Sequence, residues 1–134
     1  MQFDKAIEDN WNFANTLQKV GYHTIHLGKY GLQGWGHTPE NWAGYPTKRG
    51  FDYFYGYVRH VDGHQHYPAN EWALGDNKSH QGKKQVWENN EEVSAGLDKC
   101  YTTDLWTAKA KQLIISETTE NPGRPFFMFL SYDT

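Results

Sequence analysis

The chain has 134 residues, enough for one domain or for a piece of a larger one. Its 13 basic and 16 acidic residues nearly balance, which argues against nucleic-acid and anionic-membrane partners, whose surfaces demand a clear basic excess. No apolar run approaches the roughly 18 residues of a membrane helix, the first ten residues lack the apolar core of a signal peptide, and the one cysteine excludes an internal disulfide framework.

In chain order, Asp9 and Asn10 can cap a helix running to about Val20, with Phe13, Leu17 and Val20 spaced for one buried face. Gly21 supplies the left-handed residue that commonly ends a helix. Residues 23–27 (H-T-I-H-L) read as a strand and 28–36 as a glycine-rich loop, so Lys29 stands among glycines at a strand exit. Lysine is costly to bury, and glycines cost backbone entropy. Together they suit an anion that approaches the backbone and meets a fixed positive charge. In open α/β sheets, ligands bind where loops leave the carboxyl ends of strands. A P-loop is excluded, because Lys29 is followed by Tyr30 rather than Ser or Thr.

From 38 to 96 glycine and proline are dense, as in a functional insertion on a larger scaffold, with short strands expected at 53–58 and around 85–87. Arg49, Phe51 and Asp52 read as a structural turn, and Lys83-Lys84 and the acidic stretch 88–92 as solvated faces. In R-H-V-D-G-H-Q-H-Y-P (59–68), His60, Asp62, His64 and His66 alternate. A strand would aim them at one face with metal-ligand chemistry, although Gly63 and Pro68 oppose a regular strand. Transition-metal binding, substrate contact and a solvated loop are the three readings of that segment.

Thr102 or Thr103 can cap a second helix, whose stripe is Trp106, Ala110, Leu113 and Ile114. N-P-G-R-P breaks it, and F-F-M-F-L-S-Y (126–132) has the near-continuous apolar character of a central strand covered on both faces. The order helix, strand, loop region, helix, strand implies an α/β sheet with helical crossovers. Two clear strands cannot make a sheet alone, so residues 1–134 are expected to be part of a larger domain. Six Trp, nine Tyr and seven Phe beside few aliphatic residues suit either a cleft for a polar ligand such as a sugar or the packing of a loop-rich fold.

Five ordered blocks, G-Y-H-T-I-H-L-G-K-Y-G-L-Q-G, P-T-K-R-G-F-D-Y-F-Y-G-Y, H-Y-P, Y-T-T-D-L-W-T-A-K-A and R-P-F-F-M-F-L-S-Y, cover most of residues 10–132. In that order and rough spacing they resemble the arylsulfatases, the sulfatase branch of the alkaline-phosphatase-like superfamily. The resemblance implies an α/β/α sandwich with a mostly parallel central sheet, of which 1–134 is a partial catalytic domain with a loop-rich insertion in the middle. It also implies a sulfuric-ester hydrolase acting on a small-molecule or carbohydrate sulfate ester. Members use a formylglycine, made from a cysteine or serine in C-x-[P/A]-x-R, and a calcium ion held by Asp and Asn side chains. Neither is provided by residues of this chain. Cys100, in D-K-C-Y-T-T, lacks the Pro/Ala and Arg of that motif and reads as a packing cysteine.

By the same resemblance, Lys29 falls on the family lysine that reaches the sulfate. Where many members have a histidine in G-K-W-H-L-G, this chain has Gly31, so that hydrogen bond is missing or comes from elsewhere. His64, His66 and Tyr67, with Pro68, are implied to border the substrate, and no metal ligand is assigned. The chain alone is expected to be inactive, needing the remainder of the sulfatase domain. Relatives are mostly exported, which makes a periplasmic or secreted location the inherited expectation. Alternatives are a phosphoesterase or phosphonate hydrolase of the same superfamily, or a non-catalytic sulfatase-like binding or truncated protein.

Overall fold

The structure, a computed structural model, describes residues 11–32, 41–68 and 84–133. Helix α1 spans Phe13–Lys19. Its cap is Asn12 rather than Asp9 or Asn10, which lie outside the described residues. The Asn12 side-chain oxygen accepts from the Asn15 N–H at 3.0 Å, and its amide donates to the Arg49 carbonyl at 3.0 Å. The helix ends at Gly21 as expected: φ is +90°, and the N–H groups of Gly21 and Tyr22 bond the carbonyls of Gln18 and Leu17. The buried stripe is corrected. Ala14 is the buried residue, whereas Phe13 and Val20 are exposed. A small residue lets this short helix sit close to the sheet, and Phe13 meets Phe51, Phe127 and Phe129 edge-on instead.

Strand β1 spans His23–Lys29, β2 Tyr53–Tyr57, β3 Val86–Glu88, β4 Glu91–Glu92 and β5 Phe126–Ser131. They form one sheet in the order β4-β3-β2-β1-β5. β1 runs parallel to β2 and β5, and β3 is antiparallel to β2 and β4. The sheet is therefore mixed: a parallel core extended by a hairpin that turns on Asn89 (φ +52°) and Asn90. Glu88 is not simply a solvated face, since it accepts from the Tyr53 hydroxyl and, at 3.1 Å, from Lys109. β5 is not central among the described strands but flanks the sheet, half-buried, with Phe129 and Tyr132 exposed.

Helix α2 spans Thr102–Glu120 and follows Tyr101, which offers no side-chain cap. Thr102 is its first residue, with its hydroxyl turned to Asp133 instead (2.8 Å). Of the expected stripe, Trp106 and Ala110 are buried and Leu113 joins the core, but Ile114 is exposed. Glu117 takes the next turn of the buried face because His23 and Arg124 meet its carboxylate at 2.8 and 3.2 Å. No helix among the described residues is long and apolar enough to cross a membrane.

The period-2 alternation of β1 divides the core. Ile25 and Leu27, with Tyr55, Tyr57, Met128 and Leu130, pack under Trp106 and Ala110 of α2. Each fully buried aliphatic side chain there contributes about 1.5–3 kcal/mol. Thr24 and His26 face the other way, toward Phe51, Phe54 and Phe129 on the α1 side. The two helices thus cover opposite faces of the parallel core, as in an α/β/α sandwich. The expected turn at 49–52 is also present. Phe51 is buried, and Asp52 accepts from the Thr24 N–H at 3.0 Å and the Gln18 amide at 2.6 Å.

Candidate active site

The carboxyl ends of β1, β2 and β5 meet in an unusually close approach. Gly28 pairs in register with Gly56 on one side and Ser131 on the other. A Cβ on Gly28 would stand 1.9 Å from the Ser131 carbonyl oxygen, and one on Gly56 would stand 2.0 Å from the Gly28 oxygen. Gly28 also has φ +93°, open to glycine at little cost. It lies inside β1 rather than in the loop expected from residue 28 onward, as does Lys29, the last residue of the strand. The ladder continues past it: Tyr30 and Gly31 donate their N–H groups to Tyr57 and Val58 at 2.9 and 3.1 Å.

Lys29 is half-buried, and its stem lies on Gly63. A Cβ on Gly63 would be 2.5 Å from Lys29 Cδ and 2.9 Å from Cε. This contact directs the ammonium. Gly63→Ala is therefore expected to push the stem aside and lower kcat/KM of the complete enzyme by about 10–100-fold, since a misplacement near 1 Å can cost that much. Its melting temperature should hardly change. Unaltered kcat/KM in that variant would show that the stem's seat does not matter.

Residues 60–64 form a 3₁₀ turn, not the strand that alternation allowed. Its geometry brings His60 and His64 together, Nε2 to Nε2 at 3.2 Å, while Asp62 turns inward. Asp62 accepts from Arg59 Nε and Nη2 at 2.9 and 2.6 Å, with Lys84 Nζ at 4.0 Å. Burial pushes the Asp62 carboxyl up, against the opposing pull of Arg59 and Lys84, and burial likewise lowers Lys84. Lys84 is fully buried, which corrects its reading as a solvated lysine; Lys83 lies outside the described residues.

Asp133, just beyond β5, is a second buried carboxylate, accepting from Thr102 Oγ1 and Trp106 Nε1 at 2.8 Å each. It ties the end of β5 to the first turn of α2. The buried Tyr57 is within electrostatic reach of both carboxylates. Burial first, and then the charges of Asp133 and Asp62, raise its pKa and keep the phenol protonated.

Of the residues expected to border a substrate, His64 is exposed beside His60. His66 and Tyr67 pack with Tyr101, at ring centroid distances of 5.6 and 5.9 Å, with Tyr67 exposed. The His66 carbonyl also accepts from the Thr102 N–H at 2.9 Å. Thus the turn joins His60 and His64 to the Lys29 stem, whereas His66 and Tyr67 belong to the approach to α2. Asp133 entered no expected site, and Asp62 stood only among the metal-ligand readings of the histidine-rich segment. His60 and Asp62 thus had a local signal, while Asp133 is brought to α2 only by the crossover.

Among the described residues no group of three or more His, Cys, Asp or Glu is gathered to hold a metal ion. With Asp62 taken by Arg59 and Asp133 by Thr102 and Trp106, these residues do not fit a calcium cradle. Cys100 is half-buried in the turn before α2, its N–H bonding the Leu97 carbonyl at 2.9 Å.

A lysine seated at the carboxyl end of a parallel core, between helices on opposite faces, defines an α/β protein with a cation at a strand exit, and the fold is the alkaline-phosphatase-like one of the sulfatases it is similar to. The chain belongs to the sulfatase family, whose profile, Sulfatase, matches residues 4–134. It is similar to arylsulfatase J of Mus musculus, 26% identical over 125 residues, which cover 92% of this chain and 18% of that protein. Its fold is similar to the crystal structure of Ps i-CgsB in complex with k-i-k-neocarrahexaose, with TM-score 0.63 and 26% identity over 89% of this chain and 25% of that one. PsFucS1 sulfatase from Pseudoalteromonas sp. shares the fold with TM-score 0.62 at 22% identity, over 95% of this chain and 27% of that one. The chain thus spans between about a fifth and a quarter of the length of these relatives.

Proposed function

We propose that residues 1–134 are part of the catalytic domain of a sulfuric-ester hydrolase, and that Lys29 binds the sulfate group. The observation that carries this reading is the seat of Lys29: the last residue of β1, its stem laid on Gly63, in a chain of the sulfatase family. A sulfuryl group in transfer spreads negative charge over its oxygens, and a fixed ammonium in a partly dry site stabilises that charge. The family's formylglycine and calcium supply the nucleophile and a Lewis acid; in this reading both come from outside these residues. In this reading the exposed His64 and Tyr67, with His66, border the leaving alcohol. A carbohydrate sulfate is the favoured substrate class, supported by the oligosaccharide bound to Ps i-CgsB and by the aromatic richness of the chain.

The test is hydrolysis by the product of the complete gene, offered an aryl sulfate and the matching aryl phosphate. Turnover of the sulfate with a clear preference over the phosphate is expected. Preference for the phosphate would overturn the sulfatase assignment in favour of a phosphoesterase on the same scaffold.

A further inference from the structure

The 3₁₀ turn at 60–64 packs against β1 and β2. At that end of the sheet three strands are aligned. Lys29, the last residue of β1, is in register with Tyr57, the last of β2, and Tyr57 with Val86, the first of β3. On the β1 side the turn rests on the Lys29 stem through Gly63. The residue just before that glycine, Asp62, turns inward and is 1% exposed. Its carboxylate accepts from Arg59 Nε and Nη2 at 2.9 and 2.6 Å, and Lys84 Nζ stands 4.0 Å away, shortly ahead of Val86. Its carbonyl accepts from the Gln65 N–H at 3.0 Å and closes the turn. Asp62 is therefore where the turn is fastened, within itself by Arg59 and Gln65, and to the entry of β3 by Lys84. For stability, a well-packed apolar side chain would often serve as well as a buried ionic group; the carboxylate adds directional bonds.

We propose that Asp62 is a positioning residue for the sulfate site: by fixing the turn it fixes Gly63, and with it the path of the Lys29 stem. The proposal rests on the reading of Lys29 as the group that binds sulfate. The chain of contacts runs from Lys84 to Asp62, along one peptide bond to Gly63, and from there to Lys29. Its last contact has no slack, since a Cβ on Gly63 would already stand 2.5 Å from Lys29 Cδ. Without the carboxylate the turn can lift, and the ammonium loses its place. Asp62 itself touches no reacting atom, and its effect on turnover passes through Lys29.

In the complete enzyme, Asp62→Asn keeps the shape and removes the charge. It is expected to lower kcat/KM for a sulfate ester about 10–100-fold, since a misplacement near 1 Å can cost that much. Electrostatic field alone predicts the opposite sign, because removing a negative charge near an anion site strengthens anion binding. A double-mutant cycle with Lys29→Met separates positioning from general damage. If Asp62 acts through Lys29, Asp62→Asn should cost the Lys29→Met enzyme less than about threefold. The full loss repeated in that background would overturn the proposal, as would an unchanged or raised kcat/KM in the single variant. Lys84→Met leaves Asp62 with Arg59 and unfastens the turn only from β3. A loss of about tenfold, again absent from the Lys29→Met background, is expected, and this cycle decides the question if Asp62→Asn fails to fold. Lys29→Met with near-wild-type turnover would remove the sulfate role of Lys29 and this role with it. A wild type that prefers phosphate esters would defeat only the sulfatase assignment, and the same cycle run on the phosphate would still read the link between Asp62 and Lys29.

Discussion

Lys29→Met in the complete enzyme is expected to lower kcat/KM for a sulfate ester by about 10²–10³, the usual cost of removing one preorganised group from developing negative charge. Methionine keeps an unbranched stem on Gly63, so packing is largely retained and the charge alone is lost. The melting temperature should therefore stay within about 2 °C of the wild type, since Lys29 makes no ion pair among the described residues. A Lys29→Arg variant should recover part of the loss, because the charge persists while its reach and shape change. Loss of activity with an equal loss of stability would mean a structural lysine. A loss of less than about threefold would remove Lys29 from the sulfate site altogether.

Gly28→Ala is expected to destabilise the fold by at least about 3 kcal/mol, at the severe end for single substitutions. The obstacle is backbone, not a side chain that can swing away. The added Cβ would lie 1.9 Å from the Ser131 carbonyl oxygen, and Ser131 is the register partner of Gly28 in the ladder. The φ of +93° adds strain on top of the clash. Thermal denaturation of the complete protein, or loss of soluble yield, reads the effect. Gly123→Ala is the control, because a Cβ there meets nothing within 4 Å and should change stability by no more than about 0.5 kcal/mol. A Gly28→Ala protein that melts with the wild type would mean that β1 and β5 do not approach this closely.

These two expectations differ in how they could be reached. A lysine among glycines at a strand exit was legible as an anion site, because the residue types alone state the chemistry. Why the first of those glycines is needed was not legible. The first two residues of the loop expected from residue 28 are in fact the last of β1, and Gly28 answers to partners 28 and 103 residues later, Gly56 and Ser131. Similarly, the apolar run 126–132 announced a strand, but its flanking place in the described sheet came from pairing. Lys84 and Glu88 were misjudged for one reason: charge predicts solvent, and only tertiary partners such as Asp62, Tyr53 and Lys109 reverse that expectation.

The histidine segment shows the same division. Alternation placed His60, Asp62, His64 and His66 on one face, whereas a 3₁₀ turn pairs His60 with His64, buries Asp62 and sends His66 toward Tyr101. By itself, the sequence determined the family through five ordered blocks, both helices and the main strands through local periodicity, and Lys29 as the residue to watch. Those features depend on neighbours within a few positions. The tertiary structure alone decided the company Lys29 keeps: Gly63 beneath its stem, His60 beyond it, and the buried carboxylates of Asp62 and Asp133 around Tyr57. Contacts of that kind join residues about 30 to 100 positions apart (Lys29 with Gly63, Gly28 with Ser131), and only packing of the sheet against its helices and turns can bring them together.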